Sequence, residues 1–213
     1  MSTIQVTSAL ASEGKSTTVA NLAVTFAEAG ERVVVVCCDL RRPRIHEFFG
    51  LGNDVGFTTA LLEKTDLVRV SQRISDHPNV ALVASGPPPP NPSELLSSAA
   101  AKKVLSDLKE LADIVLIDSP PVLPVTDAAI LAQHVDATIL TVAAGQTTSA
   151  ELVETISRLR AVEAPLLGVV LNGVKEASLY NSGLRVRLEQ SLAGAAWSNA
   201  RASVSAPGSL MQQ

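Results

Sequence analysis

The chain has 213 residues, 46% of them hydrophobic, and a formal net charge of -4; this length suits one domain with a single buried core. Mean hydropathy is +0.27, yet no apolar run approaches the roughly 18 residues needed to cross a bilayer, so the hydropathy belongs to buried strands and no direct membrane span is expected. The acidic balance and the lack of a Lys/Arg block argue against a nucleic-acid binder, and the first eight residues, MSTIQVTS, do not resemble a signal peptide.

Short β-rich runs alternate with helical patterns along most of the length, which predicts an α/β fold: a mostly parallel sheet with helices on both faces. Strands are expected at residues 3–7, 33–38, 80–84, 114–118, 137–142 and 167–171. Most are near-continuous Val, Ile and Leu, as strands buried on both faces should be.

The first strand runs into Ala9-Leu10-Ala11-Ser12-Glu13-Gly14-Lys15-Ser16, which matches the phosphate-binding loop pattern with alanine where glycine is usual. Such a loop turns backbone N–H groups inward, and the helix after it adds the positive end of its dipole. Lys15 then reaches the β- and γ-phosphates and Ser16 ligates Mg²⁺. Ser12, Glu13, Gly14 and Thr17 complete the expected cradle. A structural role gives no reason for a lysine at a helix N-terminus, where it opposes the dipole. The helix from Ser16 carries Val19, Leu22, Ala23 and Phe26 on one face.

The second strand ends in Cys37-Cys38-Asp39. Adjacent cysteines in an apolar run suit reduced, buried thiols and a cytoplasmic compartment better than a disulfide. Asp39 stands at the strand's C-terminal edge, where open α/β sheets bind ligands; a turn or helix cap is the alternative. Residues 50–54 form a turn-rich break, 56–63 a short helix, and 64–77 carry little pattern. In Gly86-Pro87-Pro88-Pro89-Pro90-Asn91-Pro92-Ser93-Glu94, Asn91 is expected to cap a helix with Pro92 first and Glu94 third, running to about Leu111. A polyproline ligand is the alternative reading.

Residues 114–118 form an apolar strand closed by Asp118, a Walker B arrangement that places a carboxylate opposite Ser16 to hold the water shell of Mg²⁺. Asp127 reads as a helix-start residue, with a supporting role at the site left open. Thr147 or Thr148 caps a helix through Arg160. The last strand ends in Asn172-Gly173, where the amide reads an adenine edge or simply marks a turn. Two regions are expected: residues 1–174 as the nucleotide-binding domain, and 175–213 as a tail, helical over 180–193 and disordered from 198.

With these stretches in place, the chain resembles the cytoplasmic catalytic domain of the bacterial tyrosine kinases that regulate capsule and exopolysaccharide export. That family belongs to the deviant-Walker P-loop group with the partition and division-site ATPases. The stretches that carry the resemblance are TSALASEGKSTTVANLA, VVVVCCDLRRPRIHEFFG, SGPPPPNPSELLSS, DIVLIDSPPVLPVTDAAILAQHVDATILTVAAGQT and GVVLNGV. It implies a protein-tyrosine kinase using ATP and Mg²⁺, with Lys15, Asp39 and Asp118 catalytic, Ser16, Asp39 and Asp118 organising the metal, and Asn172 near adenine. A membrane-embedded export activator, fused or separate, is the implied partner, which sets the chain at the inner face of the membrane. A nucleotide-dependent switch or pseudokinase is the alternative, followed by a partition-type ATPase.

The chain departs from the family at four points. The family's loop usually reads Pro-Gly-Glu-Gly-Lys-Ser, and Ser12 here narrows its freedom. Cys37 stands where an acidic residue is thought to assist the attacking hydroxyl. Only Met1 and Ser2 precede the first strand, where an assembly helix is usual. Tyr180 is the sole tyrosine in place of a C-terminal cluster. The isolated chain is therefore expected to be monomeric or a weak dimer with little autophosphorylation.

Overall fold

A computed structural model describes residues 2–174. The chain divides into one unit over Met1–Gly173 and another over Val174–Gln213; the expected tail helix and Tyr180 lie outside the described residues.

In chain order the elements are β1 (Thr3–Ser8), α1 (Lys15–Glu28), β2 (Val33–Cys37), α2 (Ile45–Phe48), α3 (Phe57–Leu62), α4 (Leu67–Val70), β3 (Ser71–Ile74) and β4 (His77–Val83). There follow α5 (Pro92–Ser97), α6 (Ala99–Leu111), β5 (Ile114–Asp118), α7 (Asp127–Ala132), β6 (Ala137–Ala143), α8 (Ser149–Ala161) and β7 (Leu166–Asn172). The strands form one sheet in the order β3-β4-β2-β5-β1-β6-β7. All neighbours are parallel except β3, which runs antiparallel to β4 at the edge.

Hydrophobic burial explains the layering. Along β2, Val33, Val35 and Cys37 enter one core with Ile4, Val6, Val19 and Ala23, while Val36 enters the other with Val115, Ile117, Leu105 and Leu108. The period-2 alternation of a strand therefore feeds two cores, one under α1 and one under α6. Leu22 and Phe26 pack at the margin of the α1 core, as the helical spacing predicts. Cys37 and Cys38 are both buried and free.

The expected strands all form, with ends shifted by up to three residues. Two expectations fail. The single helix expected over 92–111 is broken at Ser98, whose extended backbone (φ -66, ψ 152) separates α5 from α6. The Ser98 hydroxyl accepts the Ala101 N–H at 3.1 Å, so the break starts a new capped helix and leaves Leu96 and Leu105 buried in one core. Asn91 does not cap α5: its side-chain amide donates to the Glu94 carboxylate at 3.0 Å. Between 64 and 83 the structure adds α4 and the β3–β4 hairpin. Ser71, Gln72 and Arg73 give β3 no apolar alternation, so only its pairing with β4 defines it.

Candidate active site

The ends of β1, β2 and β5 meet at one edge of the sheet, because β1 and β2 both flank β5. After β1 the chain turns through residues 9–14 and enters α1 at Lys15. Two loop residues hold left-handed backbone: Gly14 at φ 87 and Ser12 at φ 65. For Ser12 this conformation costs about 1–2 kcal/mol relative to a right-handed one. Gly14 has a second constraint, since a Cβ there would run into the Asn172 amide.

The loop is held from behind. The Glu13 carboxylate is buried, accepting the Leu10 N–H at 2.8 Å and the Thr147 hydroxyl. Asn172 at the end of β7 donates its amide to the Glu13 carbonyl at 3.0 Å and to the Thr18 hydroxyl at 3.3 Å. Thr148, not Thr147, caps α8, in a reciprocal box with Glu151. Of the expected cradle, Ser12, Gly14, Lys15, Ser16 and Thr17 line the cleft, whereas the side chains of Glu13 and Asn172 are committed to the loop. The donor half of an adenine-reading amide is thereby occupied in this arrangement.

Two carboxylates face the loop from the neighbouring strands. Asp118 is fully buried, and its Oδ2 accepts the Ser16 hydroxyl at 2.8 Å. Its Oδ1 is buried with no hydrogen-bond partner. Burial pushes the Asp118 carboxyl up to about 7, against the hydrogen bond from Ser16 and the nearby charge of Lys15. Asp39, two residues beyond β2, accepts the Arg42 N–H at 3.0 Å, and burial raises its pKa above the usual carboxylate range. Cys37 pairs with Asp118 across the β2–β5 ladder; burial, then the Asp118 charge, pushes its thiol well above the ordinary value. A thiol so placed stays protonated and supplies no base.

A third acidic residue binds the site's frame. Asp127 opens α7 and is fully buried, with Oδ2 receiving Arg41 Nε at 2.8 Å and Oδ1 receiving Arg41 Nη2 at 3.2 Å and Ser93 Oγ at 2.6 Å. This fork ties the segment after β2 to the starts of α5 and α7. Sequence spacing carried no sign of Arg41 or Ser93, since 86 and 34 positions separate them from Asp127.

Lys15, Ser16 and Asp39 line a cleft of about 600 Å³ together with Arg42, Arg44, Phe48, Pro120 and Pro124. The residues present fit a hydrated Mg²⁺ with a polyphosphate. A hydroxyl beside two carboxylates is a hard-oxygen donor set, and Mg²⁺ takes one or two carboxylates while keeping waters and phosphate oxygens. The partnerless Oδ1 of Asp118 is the atom a cation would satisfy.

Residues 4–196 match the family model of the CobQ/CobB/MinD/ParA nucleotide binding domain. The chain is 40% identical over 175 residues to the tyrosine-protein kinase YwqD of Bacillus subtilis, covering 82% of this chain and 73% of that protein. It spans only 22% and 24% of the tyrosine-protein kinases ptk of Acinetobacter johnsonii and wzc of Salmonella typhi. Among solved structures, the kinase domain of the Escherichia coli tyrosine kinase ETK superposes with TM-score 0.79 at 30% identity, covering 82% of this chain and 68% of that one. The septum site-determining protein MinD of Pyrococcus horikoshii, complexed with Mg-ADP, shares the fold at TM-score 0.69 and 22% identity, covering 82% and 72%. The chain thus belongs to the bacterial tyrosine kinase family, within the CobQ/CobB/MinD/ParA nucleotide-binding domains.

Proposed function

We propose that this chain is a Mg-ATP-dependent protein-tyrosine kinase domain of a capsule or exopolysaccharide export system. The observation that carries the reading is the pairing of Ser16 with Asp118, whose second oxygen is buried without a partner, beside Lys15 at the head of α1. Bound Mg-ATP supplies the transferable γ-phosphoryl group and the cation that offsets its charge. The chain's own residues do the rest. Backbone N–H groups of residues 12–17 and the Lys15 ammonium hold the phosphates, and Ser16, Asp39 and Asp118 orient the cation. The Glu13–Thr147 and Asn172 bonds fix the loop ahead of the nucleotide, which lowers the ordering left to the moment of binding.

A partner in the membrane accompanies this reading: a polysaccharide-export activator, fused or separate, that brings the domain to the cytoplasmic face. Among the described residues no helix is long and apolar enough to cross a membrane. The tail's Tyr180 is the one tyrosine the chain can offer as acceptor. The isolated chain acts as a monomer or weak dimer. A second reading, a nucleotide-dependent switch without phosphotransfer, is favoured by Cys37, a neutral buried thiol where the family carries an acidic group.

Calorimetry on the Lys15→Ala variant tests the nucleotide site, with loss of about ten- to a hundredfold in Mg-ADP affinity expected from removing a charged contact. Unchanged affinity would sink the assignment. Phosphopeptide mapping after incubation with Mg-ATP and a cytoplasmic activator segment separates kinase from switch: phosphotyrosine supports the first, hydrolysis alone the second.

A further inference from the structure

One face of β1 is polar although the strand is wholly buried. Thr3, Gln5 and Thr7 alternate along it with Ile4 and Val6. On that face Gln5 stands between its two ladder partners, Ile117 of β5 and Thr138 of β6, and Thr3 stands beside Val115. The end toward the phosphate loop is satisfied by the protein itself. Thr7 donates its hydroxyl to the Pro120 carbonyl at 2.9 Å, and the Gln5 amide donates to the Ser119 hydroxyl at 3.0 Å and the Ala128 carbonyl at 2.9 Å.

Chemistry fixes which way the Gln5 amide faces. The Ala128 carbonyl can only accept, and the Ser119 hydroxyl already donates to the Val6 carbonyl at 2.9 Å, so both need the Nε2 end. Gln5 Oε1 is left over, buried and with no hydrogen-bond partner among the described residues. The hydroxyls of Thr3 and Thr138 are in the same condition. Among the described residues five buried side-chain atoms lack a partner, and three of them fall on these neighbouring positions of one sheet face, which points to a shared partner. The adjoining strand positions offer none: Val115 and Ile117 belong to one apolar cluster, and Leu166, the ladder partner of Thr138, packs against another.

We propose that Thr3, Gln5 and Thr138 form an internal hydration site, in which one buried water is held by the three side chains. The backbone spacing suits it. Neighbouring strands lie about 4.8 Å apart, and residues two apart on a strand about 6.6 Å. A water with a hydrogen bond of about 2.8 Å on either side spans a similar distance. It donates one proton to Gln5 Oε1 and the other to one threonine hydroxyl, and accepts from the second, so all three oxygens gain a partner. A metal ion suits the place less, because the three oxygens are neutral and a buried charge needs a counter-charge. The water holds the Gln5 amide from the side away from Ser119, so a polar brace runs from the start of β1 to the residue that follows Asp118. This inference is independent of the nucleotide reading.

The test uses the 213-residue protein. A high-resolution crystal structure should show one ordered water among Thr3, Gln5 and Thr138. Thr3→Val and Thr138→Val keep the side-chain shape and delete the hydroxyl, and each should lower the folding equilibrium constant about three- to tenfold in denaturant unfolding, the loss of one hydrogen bond. Oxygen-17 relaxation dispersion of the solvent, which counts long-lived internal waters, should register one fewer in Thr3→Val/Thr138→Val than in wild type. The Thr3→Ser/Thr138→Ser variant keeps both hydroxyls and should keep the count. A folding constant that rises in either valine variant overturns the proposal, since that is the response of a hydroxyl buried without any partner. An unchanged water count in the double valine variant overturns it too. So does a crystal structure in which the three side chains bond to one another with no water between them.

Discussion

Asp118 and Asp127 are both fully buried aspartates at the same edge of the sheet, and the protein treats them in opposite ways. Asp127 has every oxygen satisfied, by a forked guanidinium and a hydroxyl. Asp118 has one oxygen on Ser16 and the other bare, and burial lifts its carboxyl to about 7. A buried acid with its partners built in is a fastener, because it has nothing left to exchange. One buried with an oxygen left without a partner is an acid that a bound cation would satisfy, which is the role proposed for Asp118.

The largest expected effect follows from removing the unsatisfied charge. Asp118→Asn should cut phosphotransfer by about 10²–10⁴, several kcal/mol of transition-state stabilisation, while the ligand-free protein unfolds at the same temperature or higher. Peptide kinase assays and thermal unfolding read the two halves. Mg²⁺-dependent nucleotide binding that survives in this variant would dissolve the contrast between the two aspartates.

Acid should act on Asp118 as well. Its folded carboxyl titrates near 7, above the ordinary 3.8, so the folded state holds a proton that the unfolded state has released across that window. The ligand-free protein therefore loses stability as pH rises from about 4 toward 7. Mg-nucleotide binding selects the ionised form and shows the reverse trend: affinity should weaken by about tenfold per pH unit below 7, as one proton competes with the cation. Calorimetric titrations at several pH values check the slope, and a flat profile for wild type would mean that Asp118 is ionised without the metal.

The fastener should respond in stability. Asp127→Ala strips Arg41 and Ser93 of their acceptor and is expected to cost about 1–3 kcal/mol in denaturant unfolding, with Mg-ADP affinity shifted by only a fewfold. Arg41→Lys, which keeps the charge and loses the fork, should fall between wild type and that variant. A nucleotide defect as deep as that of Asp118→Asn would place Asp127 among the ligands instead.

The smallest effect sharpens the description of the loop. Ser12→Gly removes a side chain from left-handed backbone and should stabilise the protein by up to about 1 kcal/mol, the strain relieved exceeding the unfolded-state entropy that glycine adds. A fall in the unfolding temperature would show that Ser12 holds the loop by contacts that outweigh its φ of 65.

Much of the fold was readable from local chemistry. Continuous apolar runs ending in Asp118 and Cys37-Cys38-Asp39 announced buried strands with carboxylates at their ends, and Gly14-Lys15-Ser16 after a short strand announced the turn into α1 that forms the candidate anion site. The edge hairpin was not readable, because Ser71, Gln72 and Arg73 face solvent as much as protein and carry no period. Nor was the break at Ser98, in a stretch whose composition favours helix throughout; the packing of both Leu96 and Leu105 into one core decides it.

The amino-acid sequence by itself determined the class of the fold, the loop proposed to take phosphate and the two acids near it, because strand burial, loop conformation and helix entry are set by residues next to one another. Tertiary structure alone decided which polar groups are spent and which are left over. Asp127 is closed off by Arg41 and Ser93, Glu13 is closed off by Thr147, Asn172 is turned onto the loop, and Asp118 is left with a bare oxygen. Each outcome depends on groups that meet only when β1, β2, β5, β6 and β7 are in register. Hydrogen-bond satisfaction is a property of a place in three dimensions, and no spacing along the chain encodes it.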